Sequence, residues 1–290
     1  MPSGRFAPSP SGDLHVGNLR TALLAWLFAR STGRGFLMRV EDLDRVRPGA
    51  EARQLEDLRA IGIDWDGDVV RQSERQAFYD DAIDRLTEDG RVYPCFCTRR
   101  EILDAPSAPH SPPGSYPGTC RDLTDAVRAR RAAERPAALR LRSEVREWQV
   151  TDLLHGDLTG TVDDLVLRRN DGVPAYNLAV VVDDADQGVD QVVRGDDLLT
   201  SAARQAHLAT LLGHEPPTYA HVPLALNTSG QRLAKRDGAV ARRELEENGV
   251  DVLALIGESL GLPGGSPAAM LDAFDPDRLP RTPWTFLPPA

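Results

Sequence analysis

Apolar residues at Leu19, Ala22, Leu23, Trp26 and Leu27 recur at steps of three and four, the period of a helix with one continuous buried face, and predict a helix from about 18 to 33. Residues 4–8 before it read as a short buried strand entering a Pro/Ser/Gly turn, and 36–40 after it as a second strand, stopped by the acidic run Glu41, Asp42, Leu43, Asp44. Strand, glycine-bearing turn, helix and strand make a βαβ unit, the opening of a parallel sheet. Helical patterns follow at 51–61 and 74–89. The stretch 104–119 is dominated by proline, serine and glycine, long for a plain connection inside a compact domain.

Beyond that stretch, Leu123, Ala126, Ala129 and Ala133 hold helical spacing within an arginine-dense segment at 121–146, and 139–167 is rich in β-forming residues. An apolar run at 173–182 predicts a strand, closed by Asp183 and Asp184. A short strand at 191–194 and a helix at 198–212 complete the second half. The tail from 241 is expected to be mostly helical, with a proline-rich end at 280–290 that frays. These elements, with all three cysteines, Cys95, Cys97 and Cys120, in the middle segment as a candidate zinc site, predict an α/β chain with a Rossmann-like parallel-sheet nucleotide-binding fold, split by a zinc-bearing α+β insertion and ending in a short helical tail. Residues 1–91 and 167–240 are expected to form the catalytic domain, 92–166 the insertion with its basic, RNA-facing segment, and 241–290 the C-terminal extension.

Charge sharpens the picture. The 290 residues carry 34 basic and 44 acidic side chains, a formal charge of −10, which argues against general, non-specific affinity for nucleic acid, so any RNA must meet a local basic face. No charged and apolar leader and no bilayer-length apolar stretch is visible, and a cytoplasmic, monomeric protein without a membrane partner is expected. The three cysteines, Cys95, Cys97 and Cys120, are too few and too clustered for a disulfide framework, and point instead to metal. Tetrahedral Zn²⁺ needs a fourth ligand, for which general preference nominates His110. The alternative for the arginines at 121–146 is a solvated helix face balanced by Glu134, Glu144 and Glu147.

Thirty-three of the basic residues are arginine and one is lysine, Lys235, within Gln231, Arg232, Leu233, Ala234, Lys235, Arg236. A chain that uses arginine wherever any cation serves is expected to keep lysine where a mobile point charge must follow phosphate through a reaction. The turn Pro8, Ser9, Pro10, Ser11, Gly12, Asp13, Leu14, His15, Val16, Gly17, Asn18 is a second phosphate signal. There a helix start aims N–H groups and its dipole outward, glycine permits close approach and the imidazole can donate.

Arg5 to Pro10 with His15, Val16, Gly17 and Asn18 resembles the first signature of class I aminoacyl-tRNA synthetases in its glutamyl version. Arg39 to Asp44, Gly62 to Asp66 with Gln72 to Arg75, and Tyr176 to Val180 with Asp183, Asp184 and Val193 to Gly195 are similar to further glutamyl blocks, and Arg232 to Arg236 to the lysine-bearing second signature. Asn18 stands where histidine is common, and Arg232 and Ala234 where lysine and serine are. The resemblance implies that L-glutamate is activated by ATP with Mg²⁺. It places Arg5 and Arg194 on the side-chain carboxylate, Glu41 on the ammonium, and Ser9 and Tyr176 nearby, with Phe6, Ala7 and Pro8 completing the glutamate wall. ATP would meet His15, Gly17, Asn18 and Lys235. The family pattern names Tyr116, rather than His110, as the fourth zinc ligand beside Cys95, Cys97 and Cys120. Only 54 residues follow 236, too few for an anticodon-binding domain, and this shortened form resembles the glutamyl-queuosine tRNA(Asp) synthetases, which attach glutamate to queuosine in the tRNA(Asp) anticodon. The competing expectations are a shortened glutamyl-tRNA synthetase charging a tRNA 3′ end, and a non-catalytic paralogue binding RNA or nucleotide.

Overall fold

The computed structural model describes residues 1–104, 116–233 and 240–288. Strand β1 (Ser3–Phe6), helix α1 (Val16–Ser31) and strand β2 (Gly35–Val40) form the predicted βαβ unit, β1 pairing in parallel with β2 from Ser3–Gly35 to Phe6–Met38. Helix α2 (Ala50–Ala60) leads to β3 (Val70–Arg71), which adds to β2 in parallel. Helix α1 is buried along nearly its whole length, from Val16 to Ala29, because the sheet lies on one side and the C-terminal helices on the other. The approach is close enough that a Cβ on Gly4 would come within 2.9 Å of the Ala29 Cβ, so the strand needs glycine there.

Helix α3 (Gln76–Glu88) precedes β4 (Val92–Cys95), α4 (Arg99–Asp104), α5 (Asp125–Glu134) and β5 (Ala138–Leu141). Next come the antiparallel hairpin β6 (Glu147–Asp152) and β7 (Gly156–Thr161), then β8 (Val166–Arg168). Strands β4, β5 and β8 make a small antiparallel sheet. The hairpin instead joins the second parallel group: β9 (Gln191–Gly195) pairs with β10 (Thr218–Val222), and β10 with β6. A parallel bridge between Ser3 and Val189, at their amino ends, sets β9 beside β1 in the same direction, so the carboxyl ends of both halves of the sheet open on one edge. That is where an open parallel sheet offers a crevice.

The strand expected at 173–182 is corrected: its residues turn into helix α6 (Tyr176–Asp186). Val180, Val181 and Val182 pack in one core with Tyr79 and Ile83 of α3 and with Leu208 and Leu212 at the end of α7 (Leu199–Leu211). A helix with apolar neighbours on several sides shows no polar stripe, so its valines read as strand until tertiary burial is known.

The tail forms α8 (Arg242–Glu247), α9 (Val252–Leu260) and α10 (Pro267–Asp272). Its end does not fray as expected through residue 288. β12 (Trp284–Thr285) pairs in parallel with β11 (Ala225–Leu226), the Trp284 N–H donates to the Leu224 carbonyl at 2.9 Å, and Phe286 is only 1% exposed. Among the described residues, no helix is long and apolar enough to cross a membrane.

Candidate active site

The turn between β1 and α1 is held from below by α2. Gln54, 2% exposed, donates to the carbonyls of Ser9 and Gly12, and Arg53 reaches Asp13 at 2.6 Å. His15 caps α1: its Nδ1 accepts the Asn18 backbone N–H at 3.1 Å, while Asn18 Oδ1 accepts the His15 N–H at 3.2 Å. An accepting Nδ1 puts the ring proton on Nε2, the form suited to donation. Asn18 therefore also orients the histidine. Gly17 does not line the cleft. A Cβ there would meet Ala225 at 2.8 Å and the His15 ring at 3.1 Å, so glycine lets the ring lie back on the helix.

Asp13, His15, Asn18 and Gln54 form one side of this cleft, which measures about 730 Å³ and lies at the sheet crevice. Its floor is Arg5 through Ser9, with Glu41 from the end of β2; Tyr176, at the start of α6, and Arg194 of β9 face them. The elements separated by more than 180 residues thus deliver two guanidiniums, a carboxylate, a phenol and a histidine to one space.

The charges are held by a buried network. Arg39, fully buried, places Nη2 2.7 Å from Asp184 Oδ1 and 3.7 Å from Glu41 Oε1, and Nε 3.6 Å from Asp183 Oδ2. Asp184 also takes Arg5 Nε at 3.3 Å. Asp183 accepts from Gln72 at 2.8 Å, Arg75 at 2.7 Å and the Tyr79 hydroxyl at 3.0 Å, tying α3 to α6. Burial alone would raise Asp184, yet Arg39 and Arg5 hold it below the usual carboxylate range. Glu41 differs: burial raises it to about 7, against the pull of Arg39 and Arg5. Such a carboxylate gains most from a cation brought by a ligand.

Arg194 is 5% exposed and braced by side chains that the sequence pattern gave no reason to select. Its Nε donates to His221 Nε2 at 3.0 Å and its Nη1 to Gln205 Oε1 at 2.7 Å, with a longer contact of 3.4 Å from Nη2 to the Leu198 carbonyl. Gln205 in turn donates to Asn177 at 2.9 Å. His221 Nδ1 lies 2.6 Å from Asp152 Oδ2, and burial lowers the imidazole's pKa, keeping it neutral.

Arg232 and Leu233, from the basic run, line the same cleft, Arg232 pairing with Asp197 at 2.6 Å. Lys235 lies outside the described residues, as does His110. The three thiols come together as the sequence implied, with Cys95, Cys97 and Cys120 sulfurs all within 4.8 Å of one another. The Tyr116 hydroxyl is 3.3 Å from the Cys95 sulfur and 3.9 Å from that of Cys97. Three sulfurs and one oxygen at such separations suit a tetrahedral thiophilic cation. None of the four residues lines the cleft that holds His15 and Glu41. Cys95, Cys97 and Tyr116 border a second cleft of about 740 Å³, which shares Tyr176 with the first and is lined by Arg99, Arg135, Arg140, Arg169 and Arg204.

The family described as tRNA synthetases class I (E and Q), catalytic domain, matches residues 3–281. The chain is 68% identical over 286 residues to the glutamyl-Q tRNA(Asp) synthetase of Nocardia farcinica, covering 97% of this chain and 92% of that protein. To the protein of the same name from Cutibacterium acnes it is 56% identical, over 90% of this chain and 76% of the other. Among solved structures it is similar to the glutamate-tRNA synthetase of Elizabethkingia anophelis, with a TM-score of 0.83, 28% identity, and coverage of 99% of this chain and 68% of that one. The glutamate tRNA ligase of Elizabethkingia meningosepticum in complex with its amino acid gives a TM-score of 0.82 and 27% identity, covering 99% of this chain and 67% of that one.

Proposed function

Because the chain belongs to the class I tRNA synthetases (E and Q), we propose that it is a ligase that activates L-glutamate with ATP and passes the glutamyl group to the queuosine base in the anticodon of tRNA(Asp). The observation that carries this reading is the convergence of Arg5, Glu41 and Arg194 with the His15 turn and Arg232 on one cleft. An amino acid with a carboxylate side chain needs two cationic forks at one end and an anion for its ammonium, and these residues supply both. Arg5 and Arg194 take the side-chain carboxylate, Glu41 the ammonium, and Ser9 and Tyr176 the polar edge between them.

In the first step an α-carboxylate oxygen attacks the α-phosphorus of ATP, the bond to the bridging oxygen of pyrophosphate breaks, and glutamyl-adenylate forms. The protein moves no proton in this step, so rate comes from alignment and from donors aimed at developing phosphate charge. His15 Nε2–H and the Lys235 ammonium fill that role, and Mg²⁺, when bound with ATP, neutralises phosphate oxygens. In the second step a hydroxyl of the modified base attacks the acyl carbon, AMP leaves, and the hydroxyl proton passes to solvent or phosphate.

The thiol cluster with Tyr116 would hold a structural Zn²⁺, deprotonated thiolates being the form that binds it. It would tie β4 to the arginine-bearing segment at 116–135. In this reading 92–166 is an insertion that presents cations to RNA, 1–91 with 167–240 is the catalytic body, and 241–290 an extension that buttresses α1. The protein acts as a monomer in the cytoplasm.

Labelled glutamate, ATP and queuosine-containing tRNA, followed by a guanosine-specific ribonuclease, test the reading. Label is expected on the anticodon fragment. Label on the 3′-terminal fragment would identify ordinary tRNA charging instead, and absence of glutamate-dependent pyrophosphate exchange would remove both enzymatic readings.

A further inference from the structure

Behind Arg194 runs a line of buried polar groups that no substrate reaches. Asp152 is 2% exposed and His221 fully buried, on neighbouring strands β6 and β10. Asp152 accepts twice with Oδ2, from the His221 backbone N–H at 3.1 Å and from His221 Nδ1 at 2.6 Å. Its Oδ1 caps the turn after β6, accepting the backbone N–H groups of Leu154 at 2.8 Å and His155 at 3.0 Å. A carboxylate with four acceptances cannot rotate, and it dictates that the ring proton sits on Nδ1. The lone pair of Nε2 then takes the Arg194 Nε–H at 3.0 Å.

An arginine has five N–H donors, and three of those on Arg194 are engaged, at Nε, Nη1 and Nη2. A side-on grip of a carboxylate uses Nε and one Nη. With Nε committed to His221, the side-on pair is closed, and one N–H on each Nη remains to be offered. The opposite tautomer would set an N–H against an N–H and turn the guanidinium away.

We propose that His221 and Asp152 are positioning residues for Arg194: Asp152 fixes the imidazole as the Nδ1–H tautomer, and its bare Nε2 holds Arg194 so that only the Nη fork meets the substrate carboxylate. This rests on Arg194 being the carboxylate-binding residue. The competing role for His221 is to satisfy Asp152 and stack on Tyr219, whose ring centroid is 5.6 Å away.

Two isosteres separate the roles. In His221→Gln the side-chain carbonyl can occupy the place of Nε2 and accept from Arg194, but the donor to Asp152 is lost. In His221→Asn an amide N–H can occupy the place of Nδ1 and satisfy Asp152, but the acceptor for Arg194 is lost. His221→Phe keeps the ring and loses both. In glutamate-dependent ATP–pyrophosphate exchange, the Asn and Phe variants are expected to raise the KM for glutamate about ten- to a hundred-fold, by analogy with the loss of a partner that orients a metal ligand. The KM for ATP should hold, kcat should fall less than KM rises, and His221→Gln should recover most of the affinity. A normal glutamate KM in His221→Asn, or a Gln variant as impaired as Phe, overturns the proposal. Long-range ¹⁵N–¹H NMR of the wild-type protein reads the tautomer without any activity, with Nδ1 protonated and Nε2 bare as the expected result and a protonated Nε2 as the contrary one. Wild-type protein with no glutamate-dependent exchange would retire the glutamate reading and leave the tautomer measurement to decide this one.

Discussion

Arg39 Nη2 lies 2.7 Å from Asp184 Oδ1 beneath the cleft floor, and the same carboxylate takes Arg5 at 3.3 Å. Asp184 is thus the shared counter-charge of two buried guanidiniums, one of which faces the cleft. Asp184→Asn keeps the shape and leaves both cations underpaired, which for a buried ion pair costs about 3–5 kcal/mol. Denaturant unfolding at neutral pH should register that loss, and the KM for glutamate should rise because Arg5 is no longer anchored. The sign with pH follows from the depressed folded-state pKa: the contribution of Asp184 is present above its unfolded value and is lost as pH falls through the folded one. Wild-type stability should therefore decline in acid more steeply than that of the variant.

Glu41 reverses that sign. Its folded pKa is raised from 4.5 to about 7, so its contribution to stability is present below the unfolded value and disappears as pH rises through about 7. Ligand binding has the opposite demand, because an ammonium is held only by the ionised carboxylate. The KM for glutamate should accordingly fall about tenfold between pH 6 and pH 8, following the ionised fraction of a group that titrates midway. Binding at pH 7 should release protons, measurable by calorimetry in buffers of different ionisation heat. Glu41→Gln should abolish the pH dependence and weaken glutamate throughout, with the protein no less stable at pH 8. A flat wild-type profile would disprove the assignment.

The opening βαβ unit was legible because strand, turn and helix each carry local signals: alternation, glycine and proline, and apolar steps of three and four. The cleft residues were legible only where a motif fixed the spacing, as for Arg5, Glu41 and Arg194. Nothing local marks Asp152, Gln205 or His221. They gain meaning through pairing of β6 with β10 and packing of α7, contacts made by residues tens of positions apart. Helix α6 failed for a related reason, since burial on several sides erased the period that identifies a helix. The tail failed at Phe286, whose burial depends on a strand some sixty residues earlier.

The thiol cluster predicts a metal effect separable from activation. Purified protein should carry about one zinc per chain, the stoichiometry of a single tetrahedral site. Cys97→Ser should lose the metal and melt earlier, while glutamate-dependent pyrophosphate exchange stays within about threefold of wild type, because structural zinc acts through folding rather than through the reacting atoms. Transfer to RNA should fall further than exchange. Unchanged zinc content by plasma emission spectroscopy would exclude Cys97 as a ligand, and loss of exchange in a variant that still melts cooperatively would contradict a purely structural role.

The second signature enters the cleft wall at Leu233, 2% exposed, and the chain is again beside His15 at Val240, whose carbonyl accepts the Val16 N–H at 2.8 Å. Lys235 lies outside the described residues, and it is the lone lysine among thirty-three arginines. If the ammonium follows the phosphate charge into the transition state, Lys235→Ala should slow adenylate formation by at least about a hundred-fold, as loss of one preorganised donor does. Thermal unfolding should be unchanged. Lys235→Arg restores the charge but not the compact, mobile donor, so it should recover only a minor part of the rate. Single-turnover formation of glutamyl-adenylate measures both variants directly. Full activity in the arginine variant would show that any cation serves there, and normal turnover in the alanine variant would remove Lys235 from the reaction.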